Sequence, residues 1–141
     1  MAVTKDDCAF CQLVVDPQSD ATWIADFDHT VAFVNRNQMY RGSVVLITRS
    51  HHEDLLAIGD DEFAAIAREL RALAGAVQQA FRPARLNYAN LGNMMPHQHW
   101  HIIPRSEGDA SWGKAPLFDA EPVELSDAGY AGIMGTIRLA L

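Results

Sequence analysis

Residues 93–105 read NMMPHQHWHIIPR, with histidine at every second position: His97, His99 and His101, half of the six histidines in the chain. A period of two is the mark of a strand, where successive side chains point to opposite faces and each residue advances the chain by about 3.3 Å. On a strand over 97–103 the three imidazoles share one face, and Trp100 and Ile102 point the other way, toward a core. Gln98 is a polar exception among those core-facing positions. This stretch commits its part of the chain to a sheet with an apolar face and a face of imidazoles.

The rest of the sequence supplies that sheet and its cover. ATWIADFDHTVAFVNR and GSVVLITR are rich in aromatic and β-branched residues and predict two or three strands, with a turn near residues 26–29. GDDEFAAIARELRALAGAVQQAF changes to helical period. Phe63, Ile66, Ala67, Leu70, Leu73, Ala74, Val77 and Phe81 form its apolar stripe, and Asp60 or Asp61 is the expected cap. Gly75 costs such a helix roughly 1 kcal/mol against alanine, which predicts a close packing contact there. ARLNYANL predicts another strand, and Ser126 is placed to cap a last helix that buries Tyr130, Ile133, Met134 and Ile137. Between these lies a long loop over 105–125, and loops of that length are uncommon unless they have a task. Strands, one long helix, further strands and a shorter C-terminal helix predict an α+β domain with a mostly antiparallel sheet of about five strands.

Composition narrows the function classes. A chain of 141 residues is one domain, 1–141, long enough for an ordinary core, and 49% hydrophobic with 21% charged residues suits a soluble globular protein. The net charge of -7 and the lack of a Lys/Arg cluster argue against a nucleic-acid partner, although a small polyphosphate needs only a few local donors. No apolar run approaches a membrane span, and the N-terminus carries aspartates where a signal peptide needs basic and apolar regions. A cytoplasmic protein with reduced thiols is expected.

The histidines pose a choice between metal and catalysis. His97 and His101 start roughly 13 Å apart on a strand, while zinc–nitrogen bonds are about 2.1 Å, so three ligands from one strand would be strained. One of them can join ligands from elsewhere and leave the others free. Cys8 and Cys11 form a C-x-x-C pair in a segment over 1–15, and His51 and His52 follow SVVLITRS. Position 8 leaves no room for the strand that precedes a redox C-x-x-C. Two cysteines and two histidines suit a closed tetrahedral zinc site, with inert buried thiols as the alternative.

The run His97-Gln98-His99-Trp100-His101-Ile102-Ile103 resembles the H-φ-H-φ-H-φ-φ signature of the histidine triad (HIT) superfamily, nucleotidyl hydrolases and transferases. The likeness extends from CAFCQLV through VVLITRSHHEDL to NLGNMMPHQHWHIIPR and is strongest to bacterial HIT-domain proteins of the diadenosine tetraphosphate hydrolase-like kind. It implies a HIT-like fold, a homodimer and a nucleotide substrate. It also implies that His99 attacks the α-phosphorus to give a covalent nucleotidyl-histidine, while His101 contacts the phosphate and the scissile oxygen. In the zinc-containing branches Cys8, Cys11, His51 and His97 correspond to the ligands of a structural Zn2+. Asn90 matches the asparagine of the family's N-x-G, and Asn93 falls where many members carry a phosphate-touching glutamine. Asn35 stands where the family has a ribose-binding aspartate, and the family's PGH turn survives only as Gly42. The loop between Asn90 and His97 is shorter than in several branches.

The chemistry is physically coherent. An imidazole near its unperturbed pKa is largely neutral at pH 7 and is nucleophilic without a strong base, provided its other nitrogen holds a proton on an acceptor. The expected activity is therefore hydrolysis of a phosphoanhydride or phosphoramidate, dinucleoside polyphosphate-like, at its α-phosphate. A transferase or phosphorylase is the nearest alternative, although transferase branches carry glutamine where this chain has His101. A purine-nucleotide-binding regulatory module with little turnover, and a zinc-structural protein without nucleotide function, are rivals from other classes. Consumption of a nucleotide by the purified protein separates the first, and nucleotide protection against thermal unfolding the second.

Overall fold

The computed structural model describes residues 5–141, so the first four residues of the N-terminal segment lie outside the described residues. Five strands form one antiparallel sheet in the order β1-β2-β3-β5-β4: β1 Trp23–Asp26, β2 Thr30–Val34, β3 Val44–Thr48, β4 Arg85–Ala89 and β5 His99–Arg105. Three α-helices complete the α+β architecture, α1 Ala9–Val15, α2 Asp60–Phe81 and α3 Asp127–Ala140. Among the described residues no helix is long and apolar enough to cross a membrane.

The period-two pattern sorts the two faces. Val44, Leu46, Ala32, Val34, Ile24 and Ile102 point to one side, where Leu73, Ala74 and Val77 of α2 and Tyr130, Ile133 and Ile137 of α3 complete the main core. Trp100 lies on that side too, against Ile58 and Ile66. Val31, Phe33 and Ile47 face the other side and meet Val14 of α1, with Phe10 and Leu13 beside them. Val45 and Ile47 pair in register with His101 and His99, so these imidazoles emerge on the α1 face. β2 is buried along its whole length because both of its faces are covered.

Several local expectations need correction. The cap of α2 is Gly59, and no side chain caps it; Asp60, Asp61 and Glu62 instead occupy the first turn, where they favour the positive end of the helix. Phe63 is 42% exposed, so the buried stripe begins at Ile66. Gly75 faces open space, with nothing within 4 Å of the position a Cβ would take, and its helix cost is not offset by a close contact. Gly42 does need to be glycine. Its φ is +90°, and a Cβ there would sit 2.7 Å from Phe81. Ser126 caps α3 as expected, accepting from the Gly129 N–H at 3.1 Å.

The long loop is tied down along its length. Arg105, 1% exposed at the end of β5, donates both Nε and Nη2 to the Asp109 carboxylate at 2.9 Å and Nη1 to Asn87 Oδ1 at 2.8 Å. Its guanidinium lies 4.8 Å from the centre of the Tyr40 ring. Tyr40 in turn donates its hydroxyl to the Ala110 carbonyl and accepts from the Leu117 N–H. These ties bring Phe118 to the α1 face.

Candidate metal centre and candidate active site

The sequence offers His97, His99 and His101 as one row, and the structure divides them. β5 begins at His99, and His97 lies on the lead-in, its N–H turned back to the Met95 carbonyl at 2.8 Å. Gln98 is the pivot. Its backbone N–H bonds the His52 carbonyl and its carbonyl takes the Thr48 N–H. Its side-chain amide reaches the Glu53 carbonyl and accepts from Asn90. The polar residue among core-facing positions is thus a junction between the end of β3 and the start of β5.

His97 is fully buried and points at the N-terminal segment. Its Nε2 donates to the Thr48 carbonyl at 2.7 Å, so a neutral ring carries its lone pair on Nδ1. That nitrogen lies 3.4 Å from Cys8 Sγ, 3.4 Å from Cys11 Sγ and 3.2 Å from His51 Nδ1, and Cys11 Sγ is 3.2 Å from His51 Nδ1. All four donor atoms fall within 4.8 Å of one another. A tetrahedron with bonds of about 2.1 Å to nitrogen and 2.3 Å to sulfur has edges of roughly 3.4–3.8 Å, close to these separations. Lone pairs converging in a buried space need a cation or protons between them, and His97 has already placed its proton elsewhere. Burial, with Cys8 alongside, pushes the Cys11 thiol up to about 11, and burial lowers His97. The cluster can therefore hold a metal ion. His52, the other histidine after β3, turns to Glu62 at 3.1 Å and takes no part.

His99 and His101 lie next to each other on β5, ring centres 5.2 Å apart and nearly perpendicular. His99 donates Nδ1–H to the His97 carbonyl at 2.6 Å, which leaves the lone pair on Nε2. The same carbonyl strand is braced from the far side, where Asn90 Nδ2 donates to the His99 carbonyl at 2.8 Å. Phe10, inside the C-x-x-C, presents its ring to both His97 and His99, at 5.9 and 5.0 Å. His101 is pushed down to about 4 by burial and by its neighbour His99, so it is neutral at neutral pH. Its Nδ1 meets Asn35 Nδ2 at 3.3 Å, and its ring lies 5.8 Å from Phe118.

Two clefts meet at His101, and the second also reaches His99. One, of about 220 Å³, is lined by Phe10, Leu13, Phe33, Val45 and Ile47, with Asn35, Arg36 and His101 at its polar end. Asp20 lies there too, its carboxylate already taken by Thr22 and Arg36 and held below the usual carboxylate range by those bonds, against the cost of burial. The other, of about 290 Å³, holds His99, His101 and Asn93 between Leu91, Met94, Met95 and Phe118. The structure thus brings Asn35 and Asn93 to the two sides of the histidine pair, and Asn90 behind it. Phe10, Gln98 and Phe118 were missed in the sequence. Two had a signal, Phe10 in its place between the two cysteines and Gln98 as the polar exception among core-facing positions.

Residues 16–108 match the family model described as the HIT domain. The chain is 28% identical to Protein hit of Bacillus subtilis over 131 residues, 86% of this chain and 89% of that one. It is 25% identical to Adenylylsulfatase HINT3 of Arabidopsis thaliana over 118 residues, 80% of this chain and 59% of the plant protein. A Zn-bound histidine triad family protein from Mycobacterium smegmatis superposes with a TM-score of 0.70 at 20% identity, covering 96% of each chain.

Proposed function

The chain belongs to the HIT domain family, and from that premise we propose that it hydrolyses a nucleoside 5′-phosphate derivative at the α-phosphorus through a covalent intermediate on His99. The observation that carries this reading is the bond from His99 Nδ1–H to the His97 carbonyl. It fixes the tautomer in which Nε2 is the nucleophile, beside a second, neutral imidazole and on the wall of the second cleft.

In this reading the base occupies the apolar cleft of Phe10, Leu13, Phe33, Val45 and Ile47, with the ribose beside Asn35. The α-phosphate lies against His99 and His101, with Asn93 as a further donor, while Asn90 steadies the backbone that carries the nucleophile. Nε2 of His99 forms a bond to phosphorus as the bond to the leaving group breaks and its electron pair departs with that group. Water then displaces the imidazole, the water's proton passes to solvent, and the P–N electrons return to Nε2. Donors at His101 and Asn93 stabilise charge as it develops on the phosphoryl oxygens.

Cys8, Cys11, His51 and His97 hold a structural zinc in this proposal, with the Thr48 carbonyl fixing the His97 ring as the outer partner such ligands need. A bound zinc supplies folding free energy and fastens the N-terminal segment, with Phe10, over His99. Two copies assemble as a homodimer, a point that the solution mass of the intact protein decides.

One observation favours a particular leaving group. Among the described residues no lysine or arginine lines the second cleft, which suits a compact or apolar leaving group better than a long, highly charged polyphosphate. The adenylylsulfatase name of the plant relative is consistent with a compact one. Purified protein incubated with diadenosine tetraphosphate, adenylyl sulfate and an aminoacyl-adenylate analogue is expected to release AMP from at least one, and from the last two faster. Release from none of them refutes the hydrolase reading and leaves a nucleotide-binding module.

A further inference from the structure

Asn35 follows β2 directly and meets His101 across the intervening strand β3. Its Oδ1 accepts the Asn37 N–H at 3.1 Å, which fixes the orientation of the carboxamide. The nitrogen end therefore faces His101, with Nδ2 3.3 Å from Nδ1. A carboxamide N–H only donates, so Nδ1 of His101 has to be the bare nitrogen, and the single proton of the neutral ring sits on Nε2. His99 is held the opposite way by a carbonyl, which only accepts. Two imidazoles with ring centres 5.2 Å apart are thus fixed in opposite tautomers by one acceptor and one donor.

We propose that Asn35 is a positioning residue that acts through His101: it holds the ring as the Nε2–H tautomer, so that His101 meets the α-phosphate as a fixed hydrogen-bond donor while His99 beside it meets phosphorus as a lone pair. This rests on the nucleotidyl-transfer reading above. It also gives a meaning to asparagine where a ribose-binding aspartate is expected. A carboxylate at this position only accepts, so it would draw the ring proton to Nδ1 and turn a lone pair of His101 toward the anionic substrate. In this site asparagine and aspartate are opposite instructions. The remaining N–H of Asn35 is still able to reach a ribose hydroxyl, so the two roles are compatible and need separate readouts.

The test uses the full chain with 15N-labelled histidine, the isosteric N35D, and N35L, which has a similar size but neither donor nor charge. Long-range 15N–1H correlation spectra report which ring nitrogen carries the proton, independently of activity. The parent is expected to show His101 protonated on Nε2, N35D to show it on Nδ1, and N35L to show a mixture. In N35D kcat should fall about 10²–10³-fold, as for loss of an oxyanion donor, with KM little changed. In N35L the loss should be smaller, roughly 2–10-fold, as for one hydrogen bond. Nδ1–H in the parent, Nε2–H retained in N35D, or a reversed tautomer with undiminished kcat each overturns the proposal. So does a raised KM with kcat and the His101 spectrum unchanged, which is the signature of a ribose contact alone. A parent that turns over no nucleotide removes the activity and the catalytic half of the proposal with it, while the spectra still decide the tautomer.

Discussion

His97 and His99 are two residues apart, both buried, and each has one ring nitrogen committed to a backbone carbonyl. They differ in which nitrogen is committed. His97 gives its Nε2 proton to Thr48 and points Nδ1 into a closed set of two thiols and a second imidazole; His99 gives its Nδ1 proton to His97 and keeps its lone pair on Nε2, with its ring lining the second cleft. In the proposed reading the same side chain serves as a ligand in the first place and as a nucleophile in the second. A lone pair bound to a metal cannot attack phosphorus, so in that reading the closed set rules out catalysis at His97, while His99 lines a cleft that a substrate can enter. The two regions are joined by one bond, since the carbonyl that orients His99 belongs to His97.

This contrast predicts a separation of effects. The largest is expected for His99→Ala, which should abolish nearly all turnover measured by AMP release while nucleotide still binds and the melting temperature changes little. The Cys8→Ser, Cys11→Ser double variant should do the reverse in kind. Elemental analysis should find about one zinc per chain in the parent and none in the variant, which melts earlier because metal binding is folding free energy. Each kcal/mol lost lowers the melting temperature by about 2–4 °C in a domain of nearly this size. Some turnover should survive at low temperature, and its complete loss in a folded variant would mean that the cage does more than hold His97 in place.

Much of this division was legible in the sequence, and the rest was not, for reasons that can be located. Period-two spacing identified the row of imidazoles, and C-x-x-C identified half of the cage. The break before β5 was invisible because it depends on Gln98 bonding the His52 and Glu53 carbonyls, which lie more than forty residues earlier. Spacing could not choose His51 over His52, because the choice is made by Glu62 on α2. The anchoring of the long loop cannot be read from spacing because two of its partners, Asn37 and Tyr40, lie far away in the chain between β2 and β3, with Arg105 on β5. Arg105 closes the run of histidines, and its charge is met by Asp109.

Smaller effects sharpen the comparison. His101→Ala should still form the covalent intermediate, about 10²–10³-fold more slowly in a rapid-quench experiment, because a donor is lost and the nucleophile kept. Asp109→Asn should destabilise by about 3 kcal/mol in urea unfolding, since it removes the charge partner of a buried guanidinium. The bonds from Arg105 hold Asp109 below the usual carboxylate range. Its stabilising contribution is therefore complete above the unfolded-state pKa near 4 and is lost as pH falls through the lower folded value. The acid limb of the stability profile should flatten in the variant. Ser126→Ala should cost least, about 1 kcal/mol for one helix cap, with turnover unchanged.

The central claim is that one imidazole of the three, His99, becomes covalently nucleotidylated. The direct measurement is to mix the protein with a substrate that it cleaves, quench in base, which spares phosphoramidates, and map the modified peptide by mass spectrometry. A nucleotide mass is expected on His99 in the parent and in His101→Ala, and none in His99→Ala. A nucleotide on His97 or His101, or turnover by His99→Ala comparable to that of the parent, would contradict it.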